Sequence, residues 1–311
     1  DVVRAHGMTV HERDDLDHPG KGAALNWLFD RLVAGGHDFD AVVIVDADTS
    51  VDRGFLPAMD RELTGGVEVA QGFYSVRDPE ASTATSFRYA ALACRHHLRA
   101  AGRCQLGASC GLYGNGMVFR RHVLDGRRWS GHLVEDAEFQ NELLLDGIRV
   151  RYVPDAVVRA EMPTTTSAAT TQNERWERGR LQLARRFVPD HARRAVRGPR
   201  RVAHADAVAD HLVPPLSALV GFQIVATAIA ALCAVPRGRS SRAIAIGVVA
   251  LSVVVGHTLA GLQSIGAARH HYISLLQAPK MIVWKIAILT RAATPDADVA
   301  WTRTQRNERI S

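Results

Sequence analysis

Three short groups of residues carry side chains that could do chemistry on a charged substrate. Asp46 and Asp48 stand two residues apart after an apolar run, Glu135 and Asp136 are adjacent, and residues 172–176 read Gln-Asn-Glu-Arg-Trp. Carboxylates bind hard divalent cations and accept protons from hydroxyl groups, and an arginine fork holds phosphate oxygens. Their order along one chain indicates an enzyme that uses a divalent metal and a general base.

The Asp46-Ala47-Asp48 group follows residues 41–45, a continuous apolar run that is typical of a strand buried on both faces. Open α/β sheets bind ligands beyond the carboxyl ends of their strands. Because Mg²⁺ is held by one or two carboxylates together with substrate phosphates, this pair is predicted to hold a metal–diphosphate. The alternative is a solvated loop in which two acids occur by chance.

Glu135 and Asp136 open a predicted helix over residues 135–145. Acidic residues at this position also stabilise the helix dipole by roughly 0.3–1 kcal/mol, which is a sufficient structural explanation. The functional alternative is a general base acting on a hydroxyl group. The other motifs favour the second interpretation.

Residues 172–176 are predicted to lie on a helix, where the glutamine offers an amide, the arginine a fork for phosphate and the tryptophan a stacking face for a sugar. An interfacial helix with one aromatic anchor is the alternative. Lys21 stands between two glycines before a predicted helix, where it can approach a phosphate, although the spacing is not that of a Walker A motif. Gly114-Asn115-Gly116 allows either close approach of the backbone to a ligand or a tight turn before a strand.

The predicted elements around these motifs alternate between helix and strand. Helices are expected over residues 22–34 and 135–145, and strands over residues 41–45, 67–74, 116–120 and 150–153. This alternation predicts an α/β domain over residues 1–187 with a mostly parallel sheet and covering helices.

A block of arginines separates this domain from an apolar region. The formal net charge is +6, and nine arginines but one carboxylate lie between residues 178 and 201. Such a block suits an anionic surface, either nucleic acid or phospholipid. Because apolar segments follow, we interpret residues 188–211 as a basic juxtamembrane linker that is attracted to anionic lipid by about 1 kcal/mol per residue, and we expect no nucleic-acid partner.

Two segments are long enough to span a lipid bilayer. Residues 212–235 are 24 residues without a charge, and residues 243–268 are 26 residues without a charge. The flanking arginines predict two transmembrane helices within residues 212–268, with both ends in the cytoplasm. Residues 269–311 are predicted to form an interfacial helix and a cytoplasmic tail, because the apolar stretch over 272–290 carries Lys280 and Lys285.

The histidine pairs His96-His97 and His270-His271 are sequence neighbours rather than i,i+4 partners. We therefore expect surface or interface roles for them and no metal. The four cysteines, without CxxC spacing, are expected to be reduced.

Together these motifs resemble the processive-type family 2 glycosyltransferases, the group that includes bacterial cellulose synthase, poly-N-acetylglucosamine synthase and hyaluronan synthase. The resemblance rests on an ordered set of residues that precede membrane helices: Gly20-Lys21-Gly22, Asp46-Ala47-Asp48, Gly114-Asn115-Gly116, Glu135-Asp136 and Gln172-x-x-Arg175-Trp176. It implies a GT-A-like fold, a nucleotide-sugar donor, Mg²⁺ or Mn²⁺, and inversion at the anomeric carbon.

The resemblance also implies a role for each residue of the set. Asp136 would be the catalytic base and Asp48 the metal ligand. The donor and its diphosphate would be bound by Lys21, Asp46, Gln172 and Arg175. The acceptor would be bound by Trp176, Glu135 and Asn115. Val134 departs from the threonine that many members carry before the acidic pair, and the fold is expected to be incomplete at the N-terminus, where the family's first strand and its uracil-binding acidic residue are missing.

The expected function is that of a membrane-bound inverting hexosyltransferase that moves sugar from a UDP-sugar to a growing polysaccharide or a glycolipid. The expected location is a bacterial-type inner membrane, with the catalytic domain cytoplasmic and the lipid bilayer and further membrane or export subunits as partners. The alternative is a non-catalytic membrane subunit whose GT-A-like module binds a ligand or a partner.

Overall fold

The structure is a computed structural model that describes residues 2–15, 17–163, 166–237 and 240–293. The polar tail that the sequence predicts from residue 295 lies outside these residues. Within them, one five-stranded sheet is made of β1 (Ala41–Ile44), β2 (Thr49–Val51), β3 (Val69–Val76), β4 (Met117–Arg120) and β5 (Val150–Ala160).

Helices cover the sheet and continue beyond it. Those of the α/β region are α1 (Val2–Ala5), α2 (Lys21–Ala34), α3 (Phe55–Thr64), α4 (Thr83–Leu92), α5 (Arg99–Gln105), α6 (Arg121–Leu124), α7 (Glu135–Leu145), α8 (Thr166–Arg197) and α9 (Arg201–Leu212). A π-helical segment, Ala93–Leu98, joins α4 to α5. The apolar region contains α10 (Leu216–Ala234), α11 (Ser240–Ser264), α12 (Arg269–Ser274) and α13 (Ala278–Ala293). Short 3₁₀ turns follow α10 at Val235–Arg237 and α12 at Leu275–Gln277.

The predicted α/β class is confirmed, but the sheet is mixed rather than mostly parallel. The strand order is β1-β4-β3-β5-β2, in which β3 and β5 run parallel and the other three pairs are antiparallel. Alternation of strands and helices does not fix strand direction. After α5 the chain runs back beside β5, where Cys110 N donates to Val150 O (2.9 Å), and it enters β4 from the end at which β3 leaves.

The core lies on both faces of the sheet. Successive side chains of a strand alternate between the faces, so Met117 and Phe119 pack in one cluster and Val118 in the other. The first cluster includes Trp129 and Phe139, whose rings stack at 4.8 Å. It packs α7 against β4 through the contact of Phe139 with Phe119.

The segment interpreted as a basic linker is helical and packs on the α/β region. Asp206 and Asp210 of α9 pair with Arg103 of α5 at 2.6 and 3.3 Å. His191 on α8 is fully buried, with its Nδ1 2.9 Å from His204 Nδ1 and its Nε2 2.9 Å from Asn141 Oδ1. Much of the basic segment is therefore held by the domain through specific polar contacts.

The buried histidines predict a stability that falls with acidification. Burial, helped by the nearby charges of His204 and His211, lowers the pKa of His191 to about 4. An unfolded chain binds this proton near pH 6.5, so the contribution is complete above that pH and is lost as the pH falls from about 6.5 to 4, at a cost of roughly 3 kcal/mol. Urea unfolding across this range should show the loss. His191→Gln should make the dependence shallower without abolishing it, because burial also lowers the pKa values of His204 and His211. The same change at exposed His37 should leave it as steep as in the wild type.

Three helical segments among the described residues are long and apolar enough to cross a membrane: Leu216–Ala234, Ser240–Ser264 and Arg269–Arg291. The first two match the predicted pair. Helix α11 approaches the π-helical segment closely, since a Cβ on Gly261 would lie 2.6 Å from Cys94 Sγ. Small residues permit such close approach of apolar helices. The third segment meets the same criteria of length and composition, and its predicted interfacial placement stays a prediction.

Candidate functional site

Lys21 is placed by the glycines on either side of it. Gly20 has φ +111°, a conformation that side-chain-bearing residues rarely adopt, and a Cβ on Gly22 would clash with the carbonyl oxygen of Ser130. Helix α2 can therefore begin directly against the loop that carries Ser130. From this first turn, Lys21 Nζ donates to the Asp46 carboxylate and to the carbonyl oxygen of Gly114.

The Asp46–Asp48 turn joins β1 to β2, the two edge strands of the sheet, and crosses the end of the sheet. Asn115 holds the turn there. Its Oδ1 accepts from Asp46 N at 3.2 Å, and its Nδ2 donates to Thr49 Oγ1 at 2.8 Å. Because Asn115 is fully buried, the structure does not place it on a surface open to an acceptor.

Gln71 is a residue that the sequence analysis missed. It is fully buried in β3, where its Nε2 donates to Asn115 O at 2.8 Å and its Oε1 accepts from Tyr113 N at 3.0 Å. It thus holds the loop that contacts Lys21 and Asp46. The available signal was the single amide side chain in this strand, which is mainly apolar.

Asp136 approaches the same loop from α7. Gly114 has φ +75°, and a Cβ there would lie 3.1 Å from Asp136 Oδ2 and 3.8 Å from Lys21 Nζ. Because residue 114 has no side chain, the carboxylate of Asp136 and the ammonium of Lys21 can both approach its backbone. Burial raises the pKa of Asp136, while its hydrogen bond from Ala137 N (2.8 Å) and the charge of Lys21 act in the opposite direction.

Glu135 experiences a similar environment at the start of α7. Burial raises the pKa of its carboxyl group, and the adjacent charge of Asp136 raises it further. Lys21 and Arg175 counteract both effects. The helix thus presents two adjacent acids towards two cations, one from α2 and one from α8.

Helix α8 brings Arg175 and Trp176 to this group. It packs tightly on the start of α7, since a Cβ on Gly179 would lie 2.5 Å from Val134 Cγ2. The Nε of Arg175 is buried and has no hydrogen-bond partner among the described residues. Gln172 lies on the same helix, but its side chain falls outside the described part of the chain.

Trp176 is covered on one side by a residue from α4. The guanidinium carbon of Arg88 lies 4.8 Å from the centre of the Trp176 ring, a cation–π geometry. Burial lowers the pKa of Arg88, and its interaction with Tyr74 raises it. Neither Arg88 nor Tyr74 was singled out in the sequence, because neither belongs to a recognisable motif.

Tyr74 connects the acidic turn to the π-helical segment. Burial raises the pKa of its phenol, and the charges of Asp46 and Asp48 raise it further, whereas Asn115 and Arg88 lower it. His96 Nδ1 lies 3.2 Å from Tyr74 O. A surface or interface role was predicted for His96. The residue is nearly fully buried, so the prediction of a surface position is wrong. His96 lies in the π-helical segment, and π-helical turns are frequent at functional sites.

The donor atoms around the turn suit a hard cation and a polyphosphate. Asp48 is exposed, and it and Asp46 offer carboxylate oxygens, the ligands that Mg²⁺ and Mn²⁺ prefer. The unpartnered Nε of Arg175 is a buried donor that a phosphate oxygen would satisfy. The residues present therefore fit a divalent cation bound together with a diphosphate.

Comparison with known proteins gives a family. A sequence model of the glycosyl transferase family group 2 matches residues 41–288. No curated protein matches the chain. One solved structure that resembles it is the mannosyltransferase PcManGT from Pyrobaculum calidifontis in complex with GDP-Man and Mn²⁺, with 18% identity and a TM-score of 0.38 over 88% of this chain. The chain spans 65% of the length of that mannosyltransferase.

Proposed function

The chain belongs to the glycosyl transferase family group 2, and we propose that it is a membrane-bound inverting hexosyltransferase of the processive type. It would move a sugar from a nucleoside diphosphate sugar to a growing polysaccharide or a glycolipid. One observation carries the proposal. Lys21 Nζ donates both to Asp46 and to the carbonyl oxygen of Gly114, and Asp136 of α7 approaches the same glycine.

This convergence supplies the groups that glycosyl transfer requires. A leaving diphosphate develops negative charge, which Lys21 and Arg175 can offset from α2 and α8. A cation held by Asp48 would add charge stabilisation and orient the diphosphate when bound. In the protein as described, Lys21 donates to Asp46, so the ammonium is already oriented towards the acidic turn.

Asp136 is the proposed general base. Its Oδ2 faces the Gly114 backbone, while Oδ1 accepts from Ala137 N and is thereby fixed in orientation. A raised pKa makes a carboxylate a better proton acceptor when it is ionised. Removal of the acceptor hydroxyl proton by Asp136 would let the oxygen attack the anomeric carbon opposite the departing diphosphate, which inverts the configuration.

The remaining motif residues are proposed to bind and position the substrates. Trp176 offers a ring face to the acceptor sugar, with Glu135 beside it, and Gln172 is proposed to contact the donor diphosphate. Asn115 is better assigned to positioning than to acceptor binding, because its Oδ1 and Nδ2 are both used to hold the acidic turn. We propose a UDP-sugar as donor and Mg²⁺ or Mn²⁺ as the cation, both on the resemblance of the motifs.

The proposed topology places the α10–α11 hairpin across a bacterial-type inner membrane and the α/β domain in the cytoplasm. Contacts of α13 with the catalytic domain support its interfacial placement. Lys285 Nζ lies 2.9 Å from Glu177 Oε1, and Trp284 Nε1 donates to Thr170 Oγ1 at 3.0 Å. These contacts hold α13 against α8, the helix that also carries part of the candidate site. Additional membrane or export subunits would complete a path for the product.

The proposal is tested by offering a panel of nucleotide sugars, including UDP-sugars and GDP-mannose, to membranes that contain the protein. With Mg²⁺ or Mn²⁺ present, we expect release of nucleoside diphosphate and an elongated saccharide with one donor, and loss of both with EDTA. The exposed variant Asp155→Asn serves as the control and should behave as the wild type. Tight donor binding with no transfer to any acceptor would instead favour a non-catalytic binding module.

A further inference from the structure

Glu80, His270 and His271 bring three metal-binding atoms together where the α/β region meets α12. These atoms all lie within 4.8 Å of one another. His270 Nε2 lies 3.0 Å from Glu80 Oε1 and 3.0 Å from His271 Nε2. The side chains of adjacent residues in a helix do not normally point towards a shared ion, and for that reason no metal was expected here from the sequence. In the first turn of α12 the two rings nevertheless converge.

The hydrogen bonds behind His271 determine which of its nitrogens is free. Ser274 Oγ donates its proton to His271 O at 2.7 Å, so in its 3.0 Å contact with Ser86 Oγ the donor must be Ser86. Ser86 then has no proton left for its 3.0 Å contact with His271 Nδ1. His271 Nδ1 must therefore carry the hydrogen, and the lone pair of a neutral ring lies on Nε2, which faces His270.

This is the arrangement that metal-ligating histidines show. A coordinating imidazole usually donates its other N–H to a neighbouring acceptor, which fixes the tautomer and the ring. His271 and Ser86 are both buried, so the hydrogen bond between them is shielded from water, whereas the side chains of His270 and Glu80 are exposed. It is also supported on the opposite side, where the Tyr89 ring lies 4.8 Å from the His271 ring.

The spacing and the donor types fit a borderline cation. Ligands of a tetrahedral zinc ion with bonds of about 2.0 Å stand about 3.3 Å apart, close to the two 3.0 Å separations at His270. Two imidazole nitrogens with one carboxylate oxygen favour Zn²⁺ over Mg²⁺, and three protein ligands leave a fourth position for water.

We propose that Glu80, His270 and His271 form a zinc-binding site that is separate from the oxygen-ligand site at Asp48. The site joins the loop before α4 to α12, and so ties the α/β domain to the third apolar segment. Arg88 of α4 lies over Trp176, so a cation at this junction would hold a helix that contacts the candidate acceptor site.

The test uses the full-length protein in lipid nanodiscs, stripped with a chelator and kept in excess Mg²⁺ to occupy the Asp48 site. Zinc is titrated in and measured by calorimetry, and bound metal is counted by mass spectrometry after desalting. We expect one Zn²⁺ per chain, and Co²⁺ should give the visible absorption of a tetrahedral site. His270→Ala, at an exposed side chain, should weaken binding at least 100-fold. Ser86→Ala should weaken it about 10- to 100-fold.

A matched control distinguishes this site from adventitious surface binding. His122 Nε2 lies 3.1 Å from Glu68 Oε1. Among the described residues, this exposed pair has no third metal-binding side chain beside it. His122→Ala should leave zinc binding unchanged. If His270→Ala folds poorly, Glu80→Gln, a change at another exposed ligand, is used instead and should also weaken zinc binding. Absence of stoichiometric zinc in the wild type, or equal binding by the wild type, His270→Ala and Glu80→Gln, would overturn the proposal.

Discussion

Replacement of Asp136 by asparagine should lower kcat by about 10²- to 10⁴-fold, the usual contribution of a positioned general base. Asparagine keeps the size of the side chain and an oxygen for the bond from Ala137 N, but it cannot take a proton from the acceptor hydroxyl. Donor affinity should change little, because Lys21 and Arg175 remain. The rate is measured as nucleoside diphosphate release with saturating acceptor, and donor binding by calorimetry.

The pH dependence of the wild-type rate is a second test of the role of Asp136. Because burial raises the pKa of Asp136, the wild-type rate should fall with acidification at a higher pH than an ordinary aspartate would cause. Only the ionised carboxylate accepts a proton, so the loss occurs as the pH falls through the raised pKa. Asp146→Asn, at the far end of α7 where the carboxylate pairs with Arg127 at 3.0 Å, is the control and should retain the wild-type rate. A wild-type rate in Asp136→Asn would exclude this residue as the base.

Replacement of Lys285 by methionine should destabilise the folded protein by about 3 kcal/mol, because it leaves a buried carboxylate with one fewer partner. Lys285 is 7% exposed and contacts Glu177 Oε1 and Asn173 Oδ1, both at 2.9 Å. Glu177 keeps its pairing with Arg180 Nε at 3.0 Å, which places the expected loss at the lower end for buried pairs. Thermal unfolding in nanodiscs, followed by tryptophan fluorescence, measures the change.

Activity should fall together with this stability, since Glu177 lies on α8 within one turn of Arg175 and Trp176. Lys280→Met is the matched control, because Lys280 stands exposed on the same helix and should tolerate the change. A double-mutant cycle with Glu177→Gln should reveal a coupling energy between the two positions. Equal melting temperatures for Lys285→Met and Lys280→Met would show that the ion pair does not hold α8.

Local patterns were sufficient to predict many of the elements. The apolar run before Asp46 forms β1, but as an edge strand with Val43 exposed rather than a strand buried on both faces. The helix over residues 135–145 begins and ends as expected, because periodicity and turn residues are read within a few positions. The acidic turn and the acidic pair were also located by type and spacing. The roles assigned to the individual residues stay predictions.

Features that depend on distant pairing could not be predicted. Strand direction is set by where the chain re-enters the sheet, and the burial of Asn115 depends on Gln71 and on the turn at Asp46. Lys285 looked like a charge at a membrane surface, whereas its partners lie on α8, and Asn173 is 112 positions away in the chain. Nothing local in the sequence marks such a pair.

The contact between α8 and α13 also has a consequence for the order of biosynthesis. Chains emerge from the ribosome from the N-terminus onward, so the residues of the α/β domain are made well before Lys285. Until then Glu177 lacks that ammonium partner, and α8 is held without its contact to the apolar region. We therefore expect α8, which carries part of the candidate site, to gain its last packing contact only after the apolar helices have been made.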